Sequence, residues 1–196
     1  MNERLYLLKI SLLDTKPEIW RRFMVPASIT LDRLHDVIQI VMGWTDSHLH
    51  EFTIGKKRYT EYQESKEDGL ECGRYRLGDL IKQKGRTFGY LYDFGDSWEH
   101  ELIIEESRYF NPELRTGIAC LEGARACPPE DVGGVPGYYE FCKALKDPAH
   151  EEHESFVEWS GGDYDSEKFD SDTVNWELMK YLRWSRGRYQ DWEGIE

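Results

Sequence analysis

Three histidines stand where an alternating strand would turn them toward an apolar side. If Trp98 to Glu105 is extended, Trp98, His100, Leu102 and Ile104 share one face, while Glu99, Glu101 and Glu105 point the other way. By the same parity His48, His50, Phe52 and Ile54 share a face. Imidazoles on a common face can ligate a divalent transition metal, zinc or manganese, with a carboxylate such as Asp93 or Asp96 completing the shell. The plainer alternative is that His48, His50 and His100 are core or rim histidines bonded to carboxylates or backbone, since His-x-His alone discriminates weakly.

Other chemistry-bearing segments say less. Asp93-Phe94-Gly95 matches a kinase tripeptide, but the chain has no glycine-rich phosphate loop, V-A-I-K lysine or H-R-D loop, so a hairpin turn is expected there. Asp163 to Glu167 alternates oxygens like a calcium loop, yet the sixth position is Lys168 where glycine is needed, and the twelfth is Val174. No serine has a G-x-S-x-G setting. Cys120 and Cys127 lack C-x-x-C spacing and read as reduced thiols; a zinc corner with His100 is the alternative. Arg21 and Arg22, adjacent on a strand, must face opposite sides, so one needs a carboxylate or anion on the apolar side. Trp20, Trp44 and Trp98 suit a pocket wall or the core.

The elements that would position these residues follow from periodicity. Leu5 to Leu13 alternates, with Tyr6, Leu8, Ile10 and Leu12 on one face, and Asp14 to Pro17 turns it into a partner strand, Glu18 to Val25. Thr30 can cap a helix with Leu31, Leu34, Ile38, Val41 and Met42 on one face, stopped by Gly43. His48 to Ile54 reads as a strand, residues 55–76 as a long loop, and Leu77 to Ile81 as a short helix. Thr87 to Phe94 and Trp98 to Glu105 form a hairpin about Gly95-Asp96-Ser97. Asn111 to Pro136 is glycine- and proline-bearing, hence irregular. Pro136 then starts a helix through Leu145, and a last helix enters from Asp170 and runs through Leu182. The expected architecture is α+β in one domain spanning residues 1–196. It has a largely antiparallel sheet, an N-terminal β-hairpin, a following helix, a central β-hairpin and C-terminal helices packed on the sheet.

Charge narrows the partners. The chain of 196 residues has a formal net charge of −13, with 15 basic and 16 acidic side chains in residues 1–100 against 10 and 22 in residues 101–196. From Glu130 to Asp172 thirteen acids face only Lys143, Lys146 and Lys168. Such a run is a solvated surface or an attractor for cations and basic partners. Direct duplex nucleic acid is a poor partner, because phosphates need clustered lysine and arginine. Apolar runs are interrupted well short of a membrane span, as by Lys9 and Ser11 in the first strand. The opening Met1-Asn2-Glu3-Arg4 lacks the pattern of a signal peptide, so a cytoplasmic location is expected.

Several of these segments together resemble one family. Pro17 to Arg22, Leu34-His35 and Gly43 to Phe52 are similar to the opening of the plasmid Ri ORF-three-like family. Tyr92 to His100 resembles its central motif, Ala126 to Asp131 with Gly133-Gly134 and Gly137-Tyr138 its third, and Phe169-Asp170 through Asn175 its last. The resemblance implies a compact α+β domain, association with plasmids or insertion elements, and no assigned reaction. It also places a cysteine where Val132 stands here, which weakens any thiolate metal corner in this chain.

Three functions are carried forward. The first is a cytosolic binding or accessory protein that requires no cofactor and takes a protein or small polar ligand. Its cleft would be lined by Trp44, Asp93, Asp96, Trp98, Cys127, Glu130 and Asp131, where the His48–Phe52, Asp93–His100 and Cys127–Asp131 segments meet. The second is a metal-dependent hydrolase with His48, His50 and His100 as ligands. The third is a nucleic-acid-linked regulator of a mobile element.

Overall fold

The computed structural model describes residues 4–61, 69–112 and 116–192, with side chains through Arg183. Leu5–Leu12 (β1) buries Tyr6, Leu8, Ile10 and Leu12 and leaves the alternate residues half-exposed, as its period of two demands. It pairs antiparallel with Ile19–Pro26 (β2), from Leu5 opposite Pro26 to Leu12 opposite Ile19. Leu31–Met42 (α1) lays Leu31, Leu34, Val37, Ile38, Val41 and Met42 into the core and ends on Gly43 at φ 107°, a conformation that favours glycine. Thr30 occupies the cap position but makes no side-chain capping bond; it bridges to Arg76 instead.

The remaining strands are His50–Ile54 (β3), Lys57–Thr60 (β4), Leu70–Glu71 (β5), Thr87–Tyr92 (β6), Trp98–Tyr109 (β7) and Ala119–Ala124 (β8). With β1 and β2 they form one eight-stranded sheet ordered β5-β4-β3-β6-β7-β1-β2-β8, antiparallel throughout except for the β4–β5 pair. The central strand β7 pairs with β1 on one side and β6 on the other, and β8 pairs with β2, so both halves of the chain share one sheet. The short helix Leu77–Leu80 (α2) precedes β6; Gly134–Lys146 (α3), His153–Trp159 (α4) and Ser171–Trp192 (α5) follow β8. Tyr138, Phe141 and Leu178 from the late helices join the same core as α1 and the strands. This is a mixed α+β domain with a largely antiparallel sheet, as expected.

Four local expectations need correcting. The 55–76 segment is not simply a loop: it contains β4 and β5, although residues 62–68 lie outside the described residues. The 111–136 segment, of which 113–115 also lie outside them, contributes β8, because β2 offers Ala119 to Ala124 an edge to pair with. The α3 helix begins at Gly134 instead of Pro136, and α4 has too few buried positions for its period to show. Arg21, facing the core at 2% exposure, has no carboxylate partner among the described residues. Its guanidinium donates to the carbonyls of Val41, Trp20 and Ala124 at 2.8–2.9 Å and stacks on Phe169. Neutral carbonyl dipoles therefore satisfy the buried cation. Arg22, on the opposite face, pairs with Glu105 and Glu122.

Candidate functional site

The site forms where two turns and one loop meet at the end of β3, β6 and β7. Asp93 and Ser97 bracket the β6–β7 turn with left-handed φ of 55° and 56°. Asp93 Oδ1 accepts the Gly95 amide at 2.8 Å, and its carbonyl accepts the Ser97 amide at 2.7 Å. This is what a short aspartate side chain does in a turn, and it leaves Oδ2 free to face outward from a side chain only 9% exposed. Asp96, at the turn tip, accepts the Gly133 amide at 3.1 Å. Gly134 follows at φ 67°, where an added Cβ would lie 2.6 Å from the Asp96 carbonyl oxygen. Glycine is required there so that the Glu130–Gly134 loop can close on the turn.

His48 completes the cluster from the α1–β3 loop. Its Nε2 lies 3.2 Å from Asp131 Oδ1, 3.6 Å from Asp93 Oδ2 and 3.7 Å from Glu130 Oε2. That nitrogen is shielded from solvent and makes no hydrogen bond. Glu130 is held firmly: its Oε1 accepts the Thr45 amide at 2.9 Å and the Tyr92 hydroxyl at 3.1 Å. The Ser47 amide donates to the same tyrosine oxygen at 3.0 Å. Asp46 and Asp131 share the left-handed backbone of Asp93, at φ 57° each. Non-glycine residues in that region cost free energy, and two of the six such residues described here, Asp93 and Asp131, lie against His48.

The three expected segments thus converge, but the three histidines do not form one ligand set. The strand begins at His50, so His48 lies outside the pleat and escapes the parity that was to align it with His50. His50 and His100 are 3% and 2% exposed in the core. Among the described residues, the groups able to place three ligand atoms together are His48–Asp93–Asp131 and His35–Asp36–Asp46. Burial is the main cause that holds His50 down to about 3 and His100 to about 4. Both are neutral rings inside the core.

The tryptophans support the site from behind. Trp98 is fully buried and Trp44 nearly so, with Trp44 Nε1 donating to the Pro128 carbonyl at 3.0 Å. The Trp44 ring packs on Tyr92, Trp98 and edge-on to His100. Neither indole is open to a ligand, contrary to the apolar contact expected of them. Cys127 is partly buried and burial pushes its thiol well up. Cys120 is pushed up to about 11 by the same cause. The zinc corner of Cys120, Cys127 and His100 is not among the groups that come together.

Sequence reasoning missed His35, Asp46 and Gln39. His35 bonds Tyr90 Oη at 2.8 Å and Asp46 Oδ1 at 2.7 Å, while Gln39 Oε1 accepts the Asp46 amide at 2.9 Å. The usable signal was two polar residues, His35 and Gln39, inside the apolar face of α1. They straddle Ile38 at helical spacing and so point at one buried network.

The model of the plasmid pRiA4b ORF-3-like protein family matches residues 4–173. The chain belongs to that family. It is similar to the uncharacterized protein y4hQ of Sinorhizobium fredii (strain NBRC 101917 / NGR234), with 47% identity over 162 residues, 81% of this chain and 82% of that one. Its fold is that of a protein of unknown function, MM3350 from Methanosarcina mazei Go1, whose crystal structure matches with a TM-score of 0.78 at 36% identity. That match covers 88% of this chain and 98% of the other. Among the described residues, no helix is long and apolar enough to cross a membrane.

Proposed function

We propose that this protein is an accessory binding protein whose cleft holds a divalent transition metal, zinc or manganese, through His48, Asp93 and Asp131. The observation that carries this is the unsatisfied Nε2 of His48 facing carboxylate oxygens of Asp131, Asp93 and Glu130 at 3.2, 3.6 and 3.7 Å. A tetrahedral shell with bonds of about 2.1 Å spaces its ligand atoms about 3.4 Å apart, and the Asp131 and Asp93 oxygens stand near that distance from Nε2. One imidazole with oxygen donors suits zinc or manganese, and the absence of thiolate argues against softer metals. Exposed Asp131 leaves one side of the cluster open to a polar ligand.

Binding is favoured over hydrolysis because Glu130, the carboxylate placed to serve as base, is already committed to the Thr45 amide and the Tyr92 hydroxyl. The acidic surroundings, at −13 overall, speak against direct duplex binding by a mobile-element regulator. A reducing cytoplasm suits four free cysteines.

Metal analysis of protein purified without an affinity tag, followed by calorimetric titration with zinc and manganese, tests the proposal. The expected result is about one ion per chain, lost in His48→Ala and in Asp93→Asn, and retained in His100→Leu. Equal metal binding by native protein and His48→Ala would overturn it.

A further inference from the structure

From Glu130 to Asp172 the chain is strongly acidic, with three lysines against thirteen carboxylates. The fold spends two of those three lysines on one cavity. Lys143 and Lys146 lie three residues apart near the end of α3, and a helix puts residues at that spacing on one side. Opposite them the β1–β2 turn supplies Lys16, and the segment leaving β8 supplies Arg125. The four cations line a cavity of about 510 Å³ in which, among the described residues, Asp147 is the only lining carboxylate. It shares no residue with the His48 cluster.

We infer that this cavity between the β1–β2 turn and α3 is a binding site for a phosphate-bearing small molecule. Its volume falls in the range of small-ligand pockets, ~300–1,000 Å³, and exceeds what a lone inorganic ion fills. Four cations lining one cavity in a chain of net charge −13 run against composition, and Glu140, Glu167 and Asp147 offset only part of that charge. Lys16 and Lys146 form no ion pair among the described residues, whereas Glu140 steadies Lys143 and Glu167 steadies Arg125. Arg125 is only 15% exposed and sits at φ 70°, a conformation that costs a non-glycine residue free energy. The Ala126 amide, bonded to the Ser166 carbonyl at 3.1 Å, pins the backbone there. An arginine fork fixed in this way matches a phosphoryl group, and lysines add point charge around it.

The uncharged lining fits an organic remainder. Tyr138 and the more exposed Tyr139 are among the lining residues, and the Tyr139 hydroxyl accepts the Lys16 amide at 2.6 Å, holding the turn against α3. Thr15 and Ser166 add buried hydroxyls at 7% and 9% exposure. Cys142 also lines the space, but burial pushes its thiol up.

The test is calorimetric titration of pyrophosphate and of ATP into the native protein, His48→Ala, and the Lys16→Gln/Lys146→Gln double variant. Both lysines are exposed, so the variant keeps its melting temperature. Pyrophosphate and ATP should bind native protein and His48→Ala alike, weakening as salt rises. The double variant should lose about tenfold or more in affinity. Tighter binding of ATP than pyrophosphate would support the tyrosine wall as the seat of the organic part. Failure of both probes to bind at millimolar concentration, or equal binding by native protein and the folded double variant, would overturn the inference.

Discussion

The imidazoles of His35 and His50 lie face to face, their centroids 3.5 Å apart and their planes 7° from parallel. His35 engages both ring nitrogens, with Tyr90 and Asp46, while His50 engages neither. A neutral ring thus backs the ring that anchors the loop carrying His48. The α1 helix, the β3 strand and the candidate metal cluster are joined at this stack.

Replacing His35 with leucine should release Asp46 and loosen residues 44–49. The loss of the buried bond to Tyr90 costs about 1–3 kcal/mol, or about 2–10 °C in Tm for a chain of this size. Amide exchange in the 44–49 segment should accelerate and metal affinity should fall with it. An unchanged melt with unchanged exchange would remove His35 from this role.

His100→Leu should hold or raise the melting temperature. His100 Nδ1 reaches the Tyr90 carbonyl at a long 3.3 Å, and its Nε2 is buried without a hydrogen-bond partner. Leucine removes the desolvated nitrogen at nearly equal volume. A fall of several degrees would show that the imidazole contributes a bond the core needs.

Stability should decline in mild acid through the same residue. His100 is held down to about 4, chiefly by burial, against about 6.5 when unfolded. Between these values the unfolded chain binds the proton and the folded chain does not. The stabilisation is therefore complete above about pH 6.5 and is lost as pH falls toward 4, on the order of 3 kcal/mol in all. Urea melts across this range should show the slope in native protein and a shallower one in His100→Leu.

Gly134→Ala should disturb the site without touching a ligand. Its Cβ would come 2.6 Å from the Asp96 carbonyl, and its φ of 67° disfavours alanine in any case. A loss of about 1–3 kcal/mol is expected, together with weaker metal binding as Asp131 is displaced. Chemical denaturation and the metal titration read the two effects separately.

A fragment ending at Glu106 should not fold cooperatively. It truncates β7 and lacks β8, α3 and α5, exposing the β2 edge and stripping the Ala124 carbonyl from buried Arg21. An insoluble or molten product is expected; a dispersed amide spectrum with a sharp melt would contradict it.

Strand parity, turn chemistry and helix periodicity are local, and they made β1, β2, α1, the β6–β7 hairpin and α5 legible in the sequence. The alternation of Tyr6, Leu8, Ile10 and Leu12 needs only a pleat to be read, and Gly43 only a helix end. Ala119 to Ala124 shows no such pattern; it is a strand because β2 leaves an edge to be paired. Asp93, Glu130 and Asp131 were expected at one cleft from their motif segments, and the contacts to His48 bring them together.

The sequence alone determined that the protein is an acidic α+β domain of the plasmid family, with its polar motifs clustered in turns. Only the tertiary structure decided which of those groups meet. β3 begins at His50, two residues after His48, so His48 follows a loop instead of the pleat; His50 and His100 lie in the core while His48 meets the carboxylates. The grouping of Lys16, Arg125, Lys143 and Lys146 was likewise invisible in the chain. Their sequence separation exceeds any local period, and only the docking of α3 against the β1–β2 turn brings them to one cavity.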